Sequence, residues 1–249
     1  MHNWMATLRS FEGLWPFLDG ETFTYAFMDH RGYGKSRQIQ GSYTAKEAAS
    51  DAVRLADHLG WQRFHVVGHS MSGMVAQRLT VDFPQRIKSL VAVTPVPASG
   101  VPLDSDGLAL FSSAVTDDGK WKEISDMITG QRLSTRWHEW SLRRFRESAN
   151  ADAVRGFLRM WVETDFHEEV KGNPVPALVI TGQHDFPAFR EEVMKTTLGQ
   201  WYQKAKVVVF QGSGHHPMAE EPLHFVAVVE TFMRTQSGAC CCASACTTA

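Results

Sequence analysis

The sequence predicts an α/β protein: a mostly parallel, doubly wound sheet flanked by helices, with a helical insertion. Three observations predict it. Short apolar, β-branched runs alternate with amphipathic helical patterns, the signature of strand–helix–strand crossovers. Those runs are apolar without alternation, as expected for strands covered on both faces. Residues 100–172 carry helical patterns and no convincing strand.

The predicted strands are TYAFMD (24–29), FHVVGH (64–69), SLVAVT (89–94), ALVITG (177–182) and KVVVFQ (206–211). The helix over 45–59 places Ala48, Ala52, Leu55 and Leu59 on one face, and that over 71–83 places Met71, Val75, Leu79 and Phe83 on another. Two further helices span about 190–201 and 222–234, the latter with Phe225, Val229 and Phe232 in phase. In the insertion, helical spacing groups Trp121, Ile124 and Ile128; Leu133, Trp137 and Trp140; and Val154, Phe157, Leu158 and Trp161. The division is therefore a core of 1–99 with 173–236, a helical cap of 100–172, and a tail of 237–249. The tail, SGACCCASACTTA, is small and polar and is expected to be disordered.

Composition narrows the function. The chain has 249 residues, 43% hydrophobic and 21% charged, with a net charge of −2 and both signs interleaved. No basic patch suggests a nucleic-acid partner, and no apolar run reaches the length of a membrane span. The four cysteines all lie in the tail, at 240, 241, 242 and 246. They lack paired spacing and a nearby histidine, so no metal site is expected. A body without cysteine needs no disulfides and suits the cytoplasm.

The stretch HVVGHSMSG (65–73) carries the chemistry. A strand turning sharply into a helix exposes the turning residue, and the close approach of strand and helix demands small neighbours such as Gly68 and Ser72. Ser70 at that turn is a candidate nucleophile, and the Met71 N–H at the helix start is a natural oxyanion donor. A serine hydroxyl needs a base and an orienting acid. Asp185 follows the strand ALVITG, and His215 sits in a Gly-rich loop after the last strand. Parallel strands end on one edge of the sheet, so these three residues should converge there. Adjacent His216 is an alternative base, and Asp104 or Asp106 an alternative acid. His69 and His184 are expected to pack beside the catalytic groups, His65 to be a core histidine, and Arg31 to anchor a loop. The cap tryptophans form the small core of the cap, line a substrate pocket beneath it, or do both on different helix faces; in a pocket, Trp121, Trp137, Trp140, Trp161 and Met127 suggest an apolar acyl group.

DHRGYGKS (29–36), GHSMSG (68–73), ITGQHD (180–185) and GSGHHPMAEEP (212–222) together resemble the α/β-hydrolase superfamily, in the branch with a helical cap. The resemblance implies Ser70 as nucleophile, Asp185 as acid and His215 as base, with no metal or organic cofactor and a small-molecule substrate. It also implies a second oxyanion donor after an HG pair; His2-Asn3-Trp4 matches that position with Asn for Gly, which nominates the Trp4 N–H. Ser72 likewise replaces a Gly of the family pattern. Serine at 70 argues against haloalkane dehalogenases and epoxide hydrolases, which use a carboxylate. The expected reaction is hydrolysis of a small apolar ester or lactone. Carbon–carbon bond hydrolysis, perhydrolysis, acyl transfer and a ligand receptor built on the same fold are the alternatives.

The resemblance also implies strands ahead of His2, one of them between TYAFMD and FHVVGH. Those N-terminal strands are missing from the sequence, which suggests a shortened start. Without the intervening strand, the two runs must pair directly, moving Trp4 away from Ser70, or leave ladder groups unpaired.

Overall fold

The computed structural model describes residues 1–237. The tail expectation, including all four cysteines, therefore falls almost wholly outside the described residues. In chain order the regular elements begin with α1 (Ala45–His58), β1 (Phe64–His69), α2 (Met71–Asp82) and β2 (Ile87–Val93). Helices α3 (Ser105–Ala114), α4 (Asp118–Ile128), α5 (Thr135–Ser148), α6 (Ala151–Glu163) and α7 (His167–Val170) follow without a strand. The chain then forms β3 (Ala177–Gly182), α8 (Glu191–Thr196), α9 (Leu198–Trp201), β4 (Ala205–Phe210), α10 (Pro217–Glu220) and α11 (Pro222–Gln236).

The four strands form one parallel sheet in the order β1-β2-β3-β4. β3 is buried at every residue and β2 at all but one, which is why their sequences read as unbroken apolar runs. One core lies between the sheet, α1, α2 and the helical segment; the other packs Phe210, Phe225, Val229 and Met233 with Phe11 and Leu14 on the opposite face. The helix expected over 190–201 is two short helices, broken at Thr197, whose φ of −109° and ψ of −102° are not helical. On α1 the buried stripe is built of small residues, Ala45, Ala48, Ala49, Ala52 and Ala56, while Leu59 is exposed at its end.

Residues 24–29 correct the sequence reading: they form no strand. β1 is the sheet edge. Its outer side is met by Met1, whose amine donates to the Val67 carbonyl at 2.9 Å and whose carbonyl accepts from the His69 N–H at 3.2 Å. A cavity of about 550 Å³ separates the rest of that edge from Phe23, Tyr25 and Phe27. A strand needs a partner for its N–H and C=O groups, and across this gap residues 24–29 have none. Direct pairing with β1 does not occur, and Trp4 and Ser70 line the same cavity.

The helical segment is tied to the core by the 29–36 stretch. Gly32, at φ +81°, accepts from the Asn150 N–H at 2.8 Å, and a Cβ there would fall 2.0 Å from that of Ala153. Arg31 anchors its loop as expected, through two bonds to Asp51 at 2.7 and 2.8 Å and one to the Gln40 carbonyl at 2.8 Å. The Trp4 indole donates to the Val154 carbonyl at 2.7 Å, and Arg78 pairs with both Glu169 oxygens.

At the carboxyl edge of the sheet, Gly182 lies so close to the 213–214 loop that a Cβ would sit 1.9 Å from the Gly214 carbonyl oxygen. Gly182→Ala should therefore cost about 2–3 kcal/mol through overpacking. A thermal melt should show Tm lowered by roughly 5–10 °C.

Candidate active site

Ser70 closes β1 and opens α2 with φ +56° and ψ −117°, a conformation side chains avoid. Its N–H donates to the Val93 carbonyl at 2.9 Å, and its own carbonyl accepts from Gly73 at 2.7 Å and Val96 at 3.0 Å. The small neighbours are sterically required: a Cβ on Gly68 would lie 2.2 Å from the Ser72 carbonyl oxygen, and one on Gly73 would lie 2.3 Å from Pro95 Cβ. Ser72, the departure from glycine, is put to use. Its hydroxyl donates to the His2 carbonyl and accepts from His30 Nε2 at 2.7 Å. The His30 N–H in turn donates to His2 Nε2 at 3.1 Å, so the elbow holds the residues leading to Asn3 and Trp4.

His215 and Asp185 meet as a pair. The His215 Nδ1–H donates to Asp185 Oδ2 at 2.8 Å, and Asp185 Oδ1 accepts from the Phe186 N–H at 2.7 Å. With Nδ1 protonated, Nε2 carries the free lone pair of a base. Asp185 is wholly buried; burial pushes its carboxyl up, against the opposing pull of the His215 ring and the Phe186 N–H. Ser70 and His215 open onto one cavity of about 480 Å³, although no hydrogen bond joins Ser70 Oγ to the ring among the described residues. Asn3 and Trp4 line the same cavity. The Met71 side chain is fully buried in the core; Met71 is the first helical residue of α2, whose leading N–H groups have no carbonyl partner within the helix.

The alternatives fall elsewhere. Asp104 is the N-cap of α3, accepting from the Gly107 N–H at 2.8 Å, and Asp106 is exposed on that helix. His216 is a cavity residue, but burial and the neighbouring His215 and His138 hold it down to about 3, so it stays neutral. His69 donates from Nε2 to the His215 carbonyl at 2.7 Å, and burial keeps its ring neutral. His184 is exposed; its N–H donates to the Ser213 carbonyl at 3.0 Å, and its carbonyl and Cβ lie against Gly130. His65 is only half-buried, between Ser89 and Ser237 hydroxyls at 2.7 and 3.0 Å.

The cavity is largely apolar. Trp121, Trp137, Trp140 and Trp161 all line it, with Trp140 at the exposed rim; Met127 does not. Sequence reasoning missed Phe111, whose ring meets Trp161 edge-on at 5.3 Å, and Phe189, whose ring lies 4.8 Å from that of His215. It also missed the groups that fix the His215 loop. Glu220 accepts from the Gly214 N–H at 2.9 Å and the His216 N–H at 3.1 Å, and is itself paired with Arg132 at 2.8 Å. Thr94 donates to the His215 carbonyl at 3.1 Å, and the His215 N–H donates to Ile128 of α4 at 3.0 Å. Glu220 had a sequence signal in its spacing from the histidine; the others depend on contacts between distant segments.

Among the described residues no cluster of side chains could hold a metal ion, and no helix is long and apolar enough to cross a membrane.

Comparison with known proteins bears on the fold. A family model described as alpha/beta hydrolase fold matches residues 1–123. The chain is 24% identical over 236 residues to a pimeloyl-[acyl-carrier protein] methyl ester esterase of Klebsiella pneumoniae, covering 90% of this chain and 88% of the relative. Its fold superposes on a bromoperoxidase of Bacillus anthracis with a TM-score of 0.82 at 22% identity, covering 94% and 90% of the two chains. An esterase of Exiguobacterium antarcticum superposes with a TM-score of 0.80 at 19% identity and the same coverage. With a parallel sheet, a serine at the strand–helix elbow and these relatives, the chain has the α/β-hydrolase fold.

Proposed function

We propose that the protein is a serine hydrolase that cleaves a small apolar carboxylic ester or lactone through an acyl-enzyme. The observation that carries this reading is the bonded Asp185–His215 pair opening onto the cavity that also exposes Ser70. In the proposed reaction Ser70 Oγ attacks the substrate carbonyl and gives its proton to His215 Nε2. Asp185 keeps the Nδ1 proton in place and stabilises the imidazolium. The developing oxyanion takes the N–H groups of Met71 and Trp4. His215 then protonates the departing alkoxide, which leaves Ser70 esterified. Water adds to that ester with His215 accepting its proton, and the acid is released as Oγ is reprotonated.

The cavity supports a small, apolar substrate: at about 480 Å³ it is in the range of small-molecule sites, and tryptophan and phenylalanine rings make up much of its wall. The esterase names of a sequence relative and of a structural neighbour are consistent with an ester.

Two measurements test the reading. A fluorophosphonate probe should label the wild type and leave Ser70→Ala unlabelled; equal labelling of both would remove Ser70 from the mechanism. Asp185→Asn should leave the fold intact but present His215 in the wrong tautomer, lowering kcat on p-nitrophenyl acetate by about 10³–10⁴-fold. Repeated turnover of that ester separates an enzyme from a receptor, which would stop after one equivalent.

A further inference from the structure

Among the polar groups lining the cavity that the proposed chemistry leaves unused, one is built into a buried side-chain chain. Ser125 lies on α4 between Trp121 and Ile128, which line the same wall. It is buried, and its Oγ lies 2.8 Å from His138 Nδ1 on α5. His138 is 2% exposed, and its Nε2 lies 2.9 Å from Asp126 Oδ1, off the axis of an ideal hydrogen bond.

The carboxylate fixes the direction of the chain. A negative charge beside Nε2 favours the proton on that nitrogen, which leaves Nδ1 as an acceptor. Ser125 then donates its only O–H proton to Nδ1. What its oxygen can offer a ligand is lone pairs alone. An acceptor set in an apolar wall gains from a ligand that brings a donor, and discriminates against one that leaves it unpaired.

We propose that Ser125, positioned by His138 and Asp126, binds a hydrogen-bond donor on the acyl part of the substrate. The substrate class is then an ester or lactone whose otherwise apolar acyl group carries a hydroxyl or amide N–H. The acyl part is the relevant half because it remains in the cavity as the Ser70 ester after an ester's alcohol departs or a lactone's ring opens. This proposal rests on the serine-hydrolase reading.

The test uses p-nitrophenyl ω-hydroxyalkanoates of increasing chain length, each beside its ω-methoxy counterpart, which keeps the oxygen but lacks the donor. At the length that reaches Ser125, wild-type kcat/KM should favour the hydroxy ester by about tenfold, the weight of one well-placed buried hydrogen bond. Ser125→Ala should bring that ratio to about one. His138→Leu should also lower it, because the freed hydroxyl can turn its proton into the cavity; a loss of packing alone would slow both esters alike. Wild-type ratios near one at every length overturn the proposal without any variant having to fold, and leave the hydrolase reading standing. A preference that survives Ser125→Ala overturns it equally. If the wild type hydrolyses neither series and takes no fluorophosphonate label, the hydrolase reading falls, and the proposal with it.

Discussion

The site depends on Ser70 holding a backbone conformation that an isolated chain would reject. A non-glycine residue at φ +56° and ψ −117° carries strain of about 1–3 kcal/mol, so the surroundings must over-determine it. They do so by leaving no space to relax. Three backbone hydrogen bonds pin Ser70 to β2, to the loop after it and to the first turn of α2. Gly68 and Gly73 let strand, helix and loop approach within distances that a Cβ would forbid. The result is a side chain lifted out of the core onto a cavity, at the end of a helix whose first N–H groups have no internal partner.

A parallel sheet then brings the rest together. Ser70, Thr94, Asp185 and His215 all follow the carboxyl ends of their strands, so residues far apart in the chain share one rim. His215 is held from two sides. Its carbonyl accepts from Thr94 and His69, its N–H reaches Ile128 in the helical segment, and Glu220 gathers the N–H groups on either side of it. The helices between β2 and β3 thus help place His215 as well as wall the cavity, and Arg132 extends that tie to Glu220.

Much of this was legible in the sequence because it rests on local patterns. The four observed strands are apolar runs, two of them with the expected limits, and the Gly-flanked serine, the post-strand aspartate and the loop histidine follow from strand–turn chemistry. The misreadings concern tertiary context. Residues 24–29 have the composition of a strand but face a gap, and pairing cannot be read from composition. Thr197 splits a helix that looks continuous by periodicity. His184 sits beside Asp185 in sequence yet points to the surface, because neighbours in a turn face different ways. Ser72 read as a tolerated substitution, whereas its hydroxyl links His2 and His30, partners that only folding reveals.

The most direct test of the account is a crystal structure after reaction with a small alkyl fluorophosphonate. It should show phosphorus bonded to Ser70 Oγ, the phosphoryl oxygen within hydrogen-bond distance of the Met71 N–H, and His215 Nε2 turned toward Oγ with Nδ1 still on Asp185. An adduct on another side chain, or a phosphoryl oxygen pointing away from the start of α2, would contradict it.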